Sequence, residues 1–326
     1  MGCKQTGAII VSHGSSRDEA NREFEEKIKR VITRLSGMKV KPAFFSMASP
    51  TLSDRIDELA EQGIERVLIL PYFLHNGQHI INDLPEQIDV CRREHPEIQI
   101  EQRSTLQEDP ALEDILVHRL AEYVQPSQPD LRSGGAIENR SREIIDGRLS
   151  DSGWEEALPV VRRVVHATAD FSFADTLRVH PEAIEVGVTA LGDGGPVVCD
   201  VNMLRSGITR VDCDVMCAIG DEDVARQAAG RDMTRSAAAM EKLSAHIDDA
   251  VVAIGNAPTA LWKVLQMAEE GRATPRLVVG VPVGFVGAME SKLALLNSDL
   301  CYITNVGNRG GTPVAASVVN ALANDC

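Results

Sequence analysis

The chain has 326 residues and a formal net charge of −15 at pH 7, with 44% apolar and 25% charged residues. This length predicts two globular domains, and the acidic balance argues against a nucleic-acid-binding protein, which needs a basic face for phosphates. The apolar runs are too short for a membrane span and the seven cysteines are scattered. We therefore expect a cytoplasmic protein that does not bind a membrane.

The first half of the chain alternates between predicted strands and predicted helices. The expected strands cover residues 7–12, 40–45, 66–73 and 98–103. The expected helices cover about residues 19–35, 52–62, 82–94 and 110–124. Four consecutive strand–helix units predict a parallel sheet with right-handed crossover connections.

A segment with the composition of a linker follows. Residues 126–136 are rich in Pro, Ser and Gly and contain almost no apolar side chains, as is typical of a connection between domains. We therefore predict a first domain over residues 1–125 and a second over residues 137–326.

The second half begins with two predicted helices, at residues 137–149 and about 154–167. Short apolar segments then predict strands near residues 197–199, 215–219, 251–254, 277–281 and 302–305. Helices are expected between them, including 236–247, 259–270 and 313–323. Both domains are thus predicted to be α/β folds with a mainly parallel sheet flanked by helices, the second of them doubly wound.

Histidines follow two strands of the first predicted sheet. His13 follows the strand over 7–12, and His79 follows the strand over 66–73. The carboxyl ends of parallel strands form the edge where open α/β sheets bind ligands. Two imidazoles that face one cleft can hold a divalent metal ion, with carboxylates or water completing its coordination. Taken singly, His13 also fits a turn and His79 a helix cap.

The residues around these histidines form an ordered set of motifs: Val11-Ser12-His13-Gly14-Ser15, Pro71-Tyr72-Phe73-Leu74, Gly77-Gln78-His79 and Asp83-Leu84-Pro85. This set covers residues 7–124 and resembles the small class II chelatases, which insert a metal ion into sirohydrochlorin. The resemblance implies that His13 and His79 bind the incoming ion and accept the pyrrole protons. It also implies a homodimer, because a single unit supplies half of the cleft found in two-unit relatives.

One departure from the chelatase pattern concerns the remaining metal ligands. Many relatives carry glutamates in the loop after the second strand, where this chain has Ser46 and Ser49. His75 is an alternative third ligand, although it also fits a polar residue of the loop. The choice among cobalt, nickel and iron therefore stays open, as does a non-catalytic unit that carries a tetrapyrrole or a metal ion.

A third histidine lies in the second half of the chain. His166 ends an amphipathic helix and follows Arg163 by one turn, although a histidine there also fits a core position. Arg235 and Ser236 start another helix, where an arginine and free backbone N–H groups can hold carboxylates. Two glycine-containing turns follow apolar strands and carry Gly255, Asn256, Gly284 and Gly287. The second turn lacks the Gly-Lys-Ser/Thr spacing of a phosphate loop, which argues against a nucleotide site.

Four more stretches complete this set: Arg140-Ser141, Cys199-Asp200, Gly207-Ile208-Thr209-Arg210 and Arg309-Gly310-Gly311. Together, the stretches of the second half resemble precorrin-8X methylmutase. That family shifts a methyl group between neighbouring ring carbons of a corrin precursor, is dimeric and needs no organic cofactor. The resemblance implies that His166 is the general acid and that Ser141, Arg163 and Arg235 grip the substrate. We expect Ser236 and the residues of the glycine turns to contact the substrate too. The local departure at Ala169-Asp170 is expected to have little effect.

The two resemblances together predict a bifunctional enzyme of cobalamin biosynthesis that acts on small tetrapyrrole substrates. Its first domain is expected to insert cobalt into sirohydrochlorin, with cobalt as a substrate. Its second domain is expected to convert cobalt-precorrin-8 to cobyrinate. A methylmutase fused to an iron or nickel chelatase is the alternative.

Overall fold

The structure of the chain is a computed structural model. It describes residues 5–35, 37–77, 79–109, 111–124, 134–150 and 153–324. The chain divides into two compact units, residues 1–125 and 126–326. The predicted linker lies largely outside the described residues, but its last three positions, 134–136, belong to a helix. Among the described residues, the structure contains no helix that could span a membrane.

The first unit is built from strands and helices that alternate along the chain. They are β1 (Thr6–Ser12), α1 (Asp18–Ile32), β2 (Lys39–Phe44), α2 (Leu52–Glu61), β3 (Arg66–Pro71), α3 (Leu84–Glu94), β4 (Gln99–Gln102) and α4 (Ala111–Leu120). The sheet has the order β2-β1-β3-β4, and all its neighbouring strands are parallel. A π-helix over His79–Asp83 precedes α3. The predicted parallel sheet is confirmed.

Alternation along β1 explains why helices cover both faces of this sheet. Ile9 and Val11 are fully buried in one cluster, which also contains residues of α2 and α3. Ile10 belongs to the cluster on the other face, where Phe24 and Ile28 of α1 pack. Because successive side chains of a strand point to opposite faces, this pattern requires apolar cover on each side.

The second unit contains more helices than the sequence patterns identified individually. Its first elements are α5 (Gly134–Leu149), α6 (Leu158–Thr168), α7 (Ser172–Thr176), β5 (Leu177–Val179), α8 (Ala183–Gly192), β6 (Val197–Cys199), α9 (Asn202–Gly207) and β7 (Val215–Met216). The remaining ones are α10 (Glu222–Gly230), α11 (Arg235–Lys242), β8 (Val251–Ile254), α12 (Pro258–Glu269), β9 (Leu277–Gly280), α13 (Ala288–Leu296), β10 (Tyr302–Asn305) and α14 (Thr312–Asn324).

The second sheet has the order β5-β10-β9-β8-β6-β7, in which only β5 is antiparallel to its neighbour. Every residue of β8 and β9 is buried. Val251 and Val279 pack with α6 and α14 on one face, whereas Val252 and Val278 pack with α11 and α12 on the other. Strands buried on both faces are typical of doubly wound sheets. The predicted fold class is confirmed.

The structure differs from the sequence prediction at several element boundaries. β5 was not predicted, and α6 begins at Leu158 instead of residue 154 because residues 155–157 form a turn. Pro159 lies in the first turn of α6, where its missing N–H has no intrahelical partner to lose. α5 begins at Gly134, three residues earlier than predicted, and β7 has two residues instead of five.

Candidate active sites

His166 lies at the exposed C-terminal end of α6, and the side chains on its face of the helix line a pocket. That pocket has a volume of about 340 Å³. Its walls come from α5, α6 and α14, and the lining residues are Glu138, Arg142, Ile145, Pro159, Arg162, Arg163, His166, Ala321 and Asn324. Spacings of three and four residues along α6 place Arg163 and His166 on one face. The structure thus brings together two of the residues predicted for catalysis and binding.

The pocket carries more positive than negative charge, since three arginines face one glutamate. Arg162 Nε is 2.5 Å from Asp146 Oδ1, and Arg142 lies 3.9 Å from Glu138 across one helical turn. Within the described parts of the chain, the Arg163 guanidinium has no ion-pair partner. A pocket with this charge balance favours an anionic ligand such as a polycarboxylate.

Arg142 and Arg162 were not selected from the sequence, although each is adjacent to a residue that was selected. Arg142 follows the predicted Ser141 directly, and Arg162 precedes Arg163. Ser141 is half-buried on α5 but does not belong to the pocket lining. A helical wheel centred on His166 would have included Arg162, because residues four apart share a face.

The turn after β8 is held by an internal carboxylate. Asp200, which is fully buried after β6, accepts hydrogen bonds from the backbone N–H groups of Gly255 (3.2 Å), Asn256 (2.7 Å) and Ala257 (2.7 Å). Burial raises the pKa of Asp200, while these three donors favour its charged form. The anion-binding capacity of this turn is therefore used within the protein, and only the exposed side chain of Asn256 remains available to a ligand.

Gly255 has a packing role that the sequence did not show. A Cβ atom at this position would lie 2.9 Å from Cα of Thr312, at the start of α14. That distance is too short for a non-bonded carbon pair, so glycine is required for the close approach of the turn to the helix. Its predicted contact with the substrate stays a prediction.

The predicted helix start at Arg235 is confirmed as the beginning of α11. Thr234 caps this helix by accepting a hydrogen bond from Ala237 N, and its hydroxyl lies 2.7 Å from that of Thr259 in α12. The Arg235 side chain is exposed and Ser236 is half-buried. The starts of α11 and α12 are therefore adjacent, close to the turn that Asp200 holds.

Gly284 and Gly287 flank an apolar loop tip after β9. Their φ angles are +152° and +76°, values that favour glycine. The two residues between them, Phe285 and Val286, are 84% and 89% exposed. Neither these glycines nor Arg235 lines the His166 pocket, so the structure separates the predicted binding residues into a helix-lined pocket and a group at the carboxyl edge of the sheet.

A buried lysine supports the loop after β10. Lys292 is 1% exposed, and its Nζ donates to the Arg309 carbonyl oxygen (2.5 Å) and to Asn305 Oδ1 (3.3 Å). Burial lowers the pKa of Lys292 to about 8, because the charged form is poorly solvated.

This burial predicts a pH dependence of stability. The pKa of Lys292 is about 8 in the folded state against an ordinary value of 10.5, so between these values the unfolded chain binds the additional proton and stability rises with pH. Relative to Lys292→Met, the wild type should gain about 2 kcal/mol in free energy of unfolding between about pH 7.5 and 9.5.

Urea denaturation followed by tryptophan fluorescence measures this gain for the second unit, because Trp154 and Trp262 are the chain's two tryptophans. Lys242→Met is the matched control, since the hydrogen bonds that Lys242 Nζ donates to Asp221 and Asp223 raise the pKa of Lys242 instead. An equal pH response of wild type and Lys292→Met would contradict the prediction.

In the first unit, His13 follows β1 directly and is exposed. Its carbonyl oxygen accepts hydrogen bonds from the backbone N–H of Ser46 (3.0 Å) and from the Ser46 hydroxyl (3.2 Å). A Cβ atom at Gly14, where φ is +85°, would lie 1.9 Å from the Ser46 carbonyl oxygen. Glycine is therefore needed at position 14 for the β1 and β2 loops to approach each other.

His79 begins the π-helix before α3, which places its backbone after β3, as predicted. Its side chain lies outside the described part of the structure, so the predicted pairing with His13 remains a prediction. Ser46 is turned towards the His13 carbonyl, whereas Ser49 and His75 are exposed. Among the described residues, no group of three His, Cys, Asp or Glu side chains is arranged to hold a metal ion.

Comparisons with known proteins identify both units. The family model for precorrin-8X methylmutase matches residues 136–325, and the model for CbiX matches residues 7–123. The cobalt-precorrin-8 methylmutase of Leptospira interrogans is 38% identical over 203 residues, which are 58% of this chain and 92% of that protein. A precorrin-8X methylmutase structure from Thermus thermophilus is 33% identical, with a TM-score of 0.55, and the match covers 59% of this chain and 95% of that chain.

A CbiX protein structure from Marinobacter aquaeolei is 24% identical, with a TM-score of 0.32 over 36% of this chain and 98% of that chain. The assignment of the first unit depends on the family model over residues 7–123. Both resemblances inferred from the sequence are confirmed: the chain belongs to the precorrin-8X methylmutase family and carries a CbiX domain ahead of its methylmutase domain.

Proposed function

We propose that the second unit catalyses the methyl shift of a precorrin-8 substrate, with His166 as the general acid. The observation that carries this proposal is the arginine-rich pocket that His166 lines in a chain of this family. A histidine titrates near neutral pH and can donate a proton to the ring system as the methyl group migrates. Arg142 and Arg163 would hold substrate carboxylates, and no organic cofactor is needed for this step.

The experiment is conversion of precorrin-8X by the purified chain, followed by the absorbance of the corrin product. The cobalt-containing and metal-free substrates are compared in parallel, since the name of the Leptospira relative specifies the cobalt form. Turnover of either substrate supports the proposal, and absence of turnover with both contradicts it.

For the first unit, we propose that it inserts cobalt into sirohydrochlorin. We also propose that the protein works in the cytoplasm, the compartment that its scattered cysteines predict. Support for metal insertion comes from the CbiX match and from the position of His13 at the carboxyl end of β1. A chelatase has to release its metal ion, so an open site with two imidazoles suits the task better than a closed four-ligand cage. Cobalt is the favoured ion because the second unit belongs to a family of cobalamin biosynthesis, the route that uses cobalt.

Metal insertion is tested by following the absorbance of sirohydrochlorin with cobalt, nickel or iron(II) under anaerobic conditions. Cobalt insertion above the spontaneous background, and faster than for the other ions, supports the proposal. Faster insertion of iron or nickel would favour the alternative chelatases. Binding of sirohydrochlorin without any accelerated insertion would favour a carrier unit.

We also propose that the chain forms a homodimer. In α4, Leu116, Leu120 and neighbouring apolar residues are more than half exposed, which is typical of a surface covered by a partner. Light scattering at micromolar concentration should give twice the chain mass of 35.3 kDa. Leu116→Glu with Leu120→Glu should weaken the dimer, seen as a lower average mass on dilution, whereas Val90→Glu on α3 should not. A monomeric wild type would contradict the proposal.

A further inference from the structure

The end of α6 is connected to the loop after β10 by one charged side chain. Arg309 Nη1 lies 2.5 Å from Asp170 Oδ2 and 2.6 Å from the Ser172 hydroxyl oxygen. Asp170 follows His166 by four residues, and its second carboxylate oxygen accepts a hydrogen bond from Ser172 N (2.9 Å). One carboxylate therefore anchors both the turn after α6 and the guanidinium of a distant segment.

The Arg309 backbone is fixed from several directions. Its carbonyl oxygen accepts from Lys292 Nζ (2.5 Å) and from Asn305 Nδ2 (2.9 Å), and both of these residues are 1% exposed. The next residue, Gly310, has a φ of +151°, and a Cβ atom there would lie 2.2 Å from the Val281 carbonyl oxygen. The loop is thus a rigid support, from which the Arg309 side chain reaches the end of α6.

His166 itself has little to hold it in place. Val164 and Val165 are buried in the core, but His166 and Ala167 are exposed. The helix then ends through Ala169 in the left-handed conformation, with φ +52°. Because the last turn of a helix frays unless its end is tied down, the contact that fixes Asp170 also fixes the turn that presents the imidazole.

We propose that Asp170 and Arg309 form a positioning pair, which holds the His166 end of α6 in the orientation that proton donation to the substrate requires. This inference rests on the proposed methyl-shift function. Neither residue lines the pocket, so the pair acts through His166 and not by contact with the substrate.

Two single variants and one double variant test the pair. Asp170→Asn keeps an acceptor for Ser172 N but turns its amide nitrogen towards Arg309, and Arg309→Gln removes the guanidinium. A displacement of about 1 Å at a reacting group can lower a rate about 100-fold. We expect each single variant to lower kcat by about 10- to 100-fold while the Kd for the corrin product stays within about twofold. The charge-exchanged variant, Asp170→Arg with Arg309→Asp, restores an ion pair but not the acceptor for Ser172 N, so it should recover part of the lost kcat.

Arg276→Gln is the matched control, because Arg276 forms a comparable ion pair with Asp193 (2.9 Å) just before β9. It should leave both kcat and product binding unchanged. The inference is overturned if both single variants keep the wild-type kcat. It is also overturned if product binding falls together with kcat and the charge exchange restores neither. A wild-type chain without turnover would instead contradict the proposed function, so the two failures are distinguishable.

Discussion

Replacing His166 with alanine is expected to lower the turnover of the methyl shift by about 10²- to 10⁴-fold, the usual contribution of a positioned general acid. The imidazole is exposed at the end of α6, so its removal leaves no cavity in the core and the fold should persist. Binding of the corrin product should survive, because Arg142 and Arg163 still line the pocket. Single-turnover absorbance and a titration with the coloured product measure the two quantities separately.

His166→Asn and His246→Ala complete the design of this experiment. Asparagine keeps a hydrogen-bonding group but cannot donate a proton near neutral pH, so it should be as inactive as alanine. His246 is also exposed and does not line the pocket, and its alanine variant should turn over like the wild type. Full activity of His166→Ala with an intact fold would exclude the general-acid role.

The elements that could be predicted from the sequence are those whose pattern is local. The apolar segment Val251–Ile254 predicts a buried strand, and the spacing of Phe24 and Ile28 predicts the inner face of α1; both are observed. The strand Leu177–Val179 was not predictable, because three residues carry no periodic pattern. It exists through pairing with Tyr302–Asn305, a partner more than 100 residues away in the sequence.

The candidate sites also divide into features that local sequence indicates and features that depend on distant contacts. His13 and His166 could be selected because each follows an apolar run and lies at or just after the end of an element. The occupation of the Gly255 turn by Asp200 could not be predicted, because the contact joins residues 55 positions apart. Likewise, the burial of Lys292 depends on Asn305 and Arg309, which belong to a different segment. Local motifs therefore indicated where chemistry is placed, whereas the supporting contacts required the fold.

The second large effect is expected in the first unit, where His13→Ala and His79→Ala should each abolish most of the cobalt insertion. Residues that hydrogen-bond to metal ligands, without binding the metal themselves, contribute about 10- to 100-fold to metal affinity or activity. Loss of one of two imidazole ligands should therefore lower the rate by about 100-fold or more. His13 is exposed and contributes its backbone carbonyl, not its ring, to the contact with Ser46. The His13→Ala variant should therefore fold, as circular dichroism can verify.

Two further histidine variants make this experiment decisive. His118→Ala, on the exposed face of α4, is the control and should insert cobalt at the wild-type rate. His75→Ala tests the third ligand: a loss intermediate between control and His13→Ala would assign His75 a part in holding the ion, while Ser46 stays engaged with the His13 carbonyl. If His13→Ala and His79→Ala both insert cobalt at the wild-type rate above the spontaneous background, these two imidazoles are not the ligands. The chemistry of the CbiX unit would then depend on other residues.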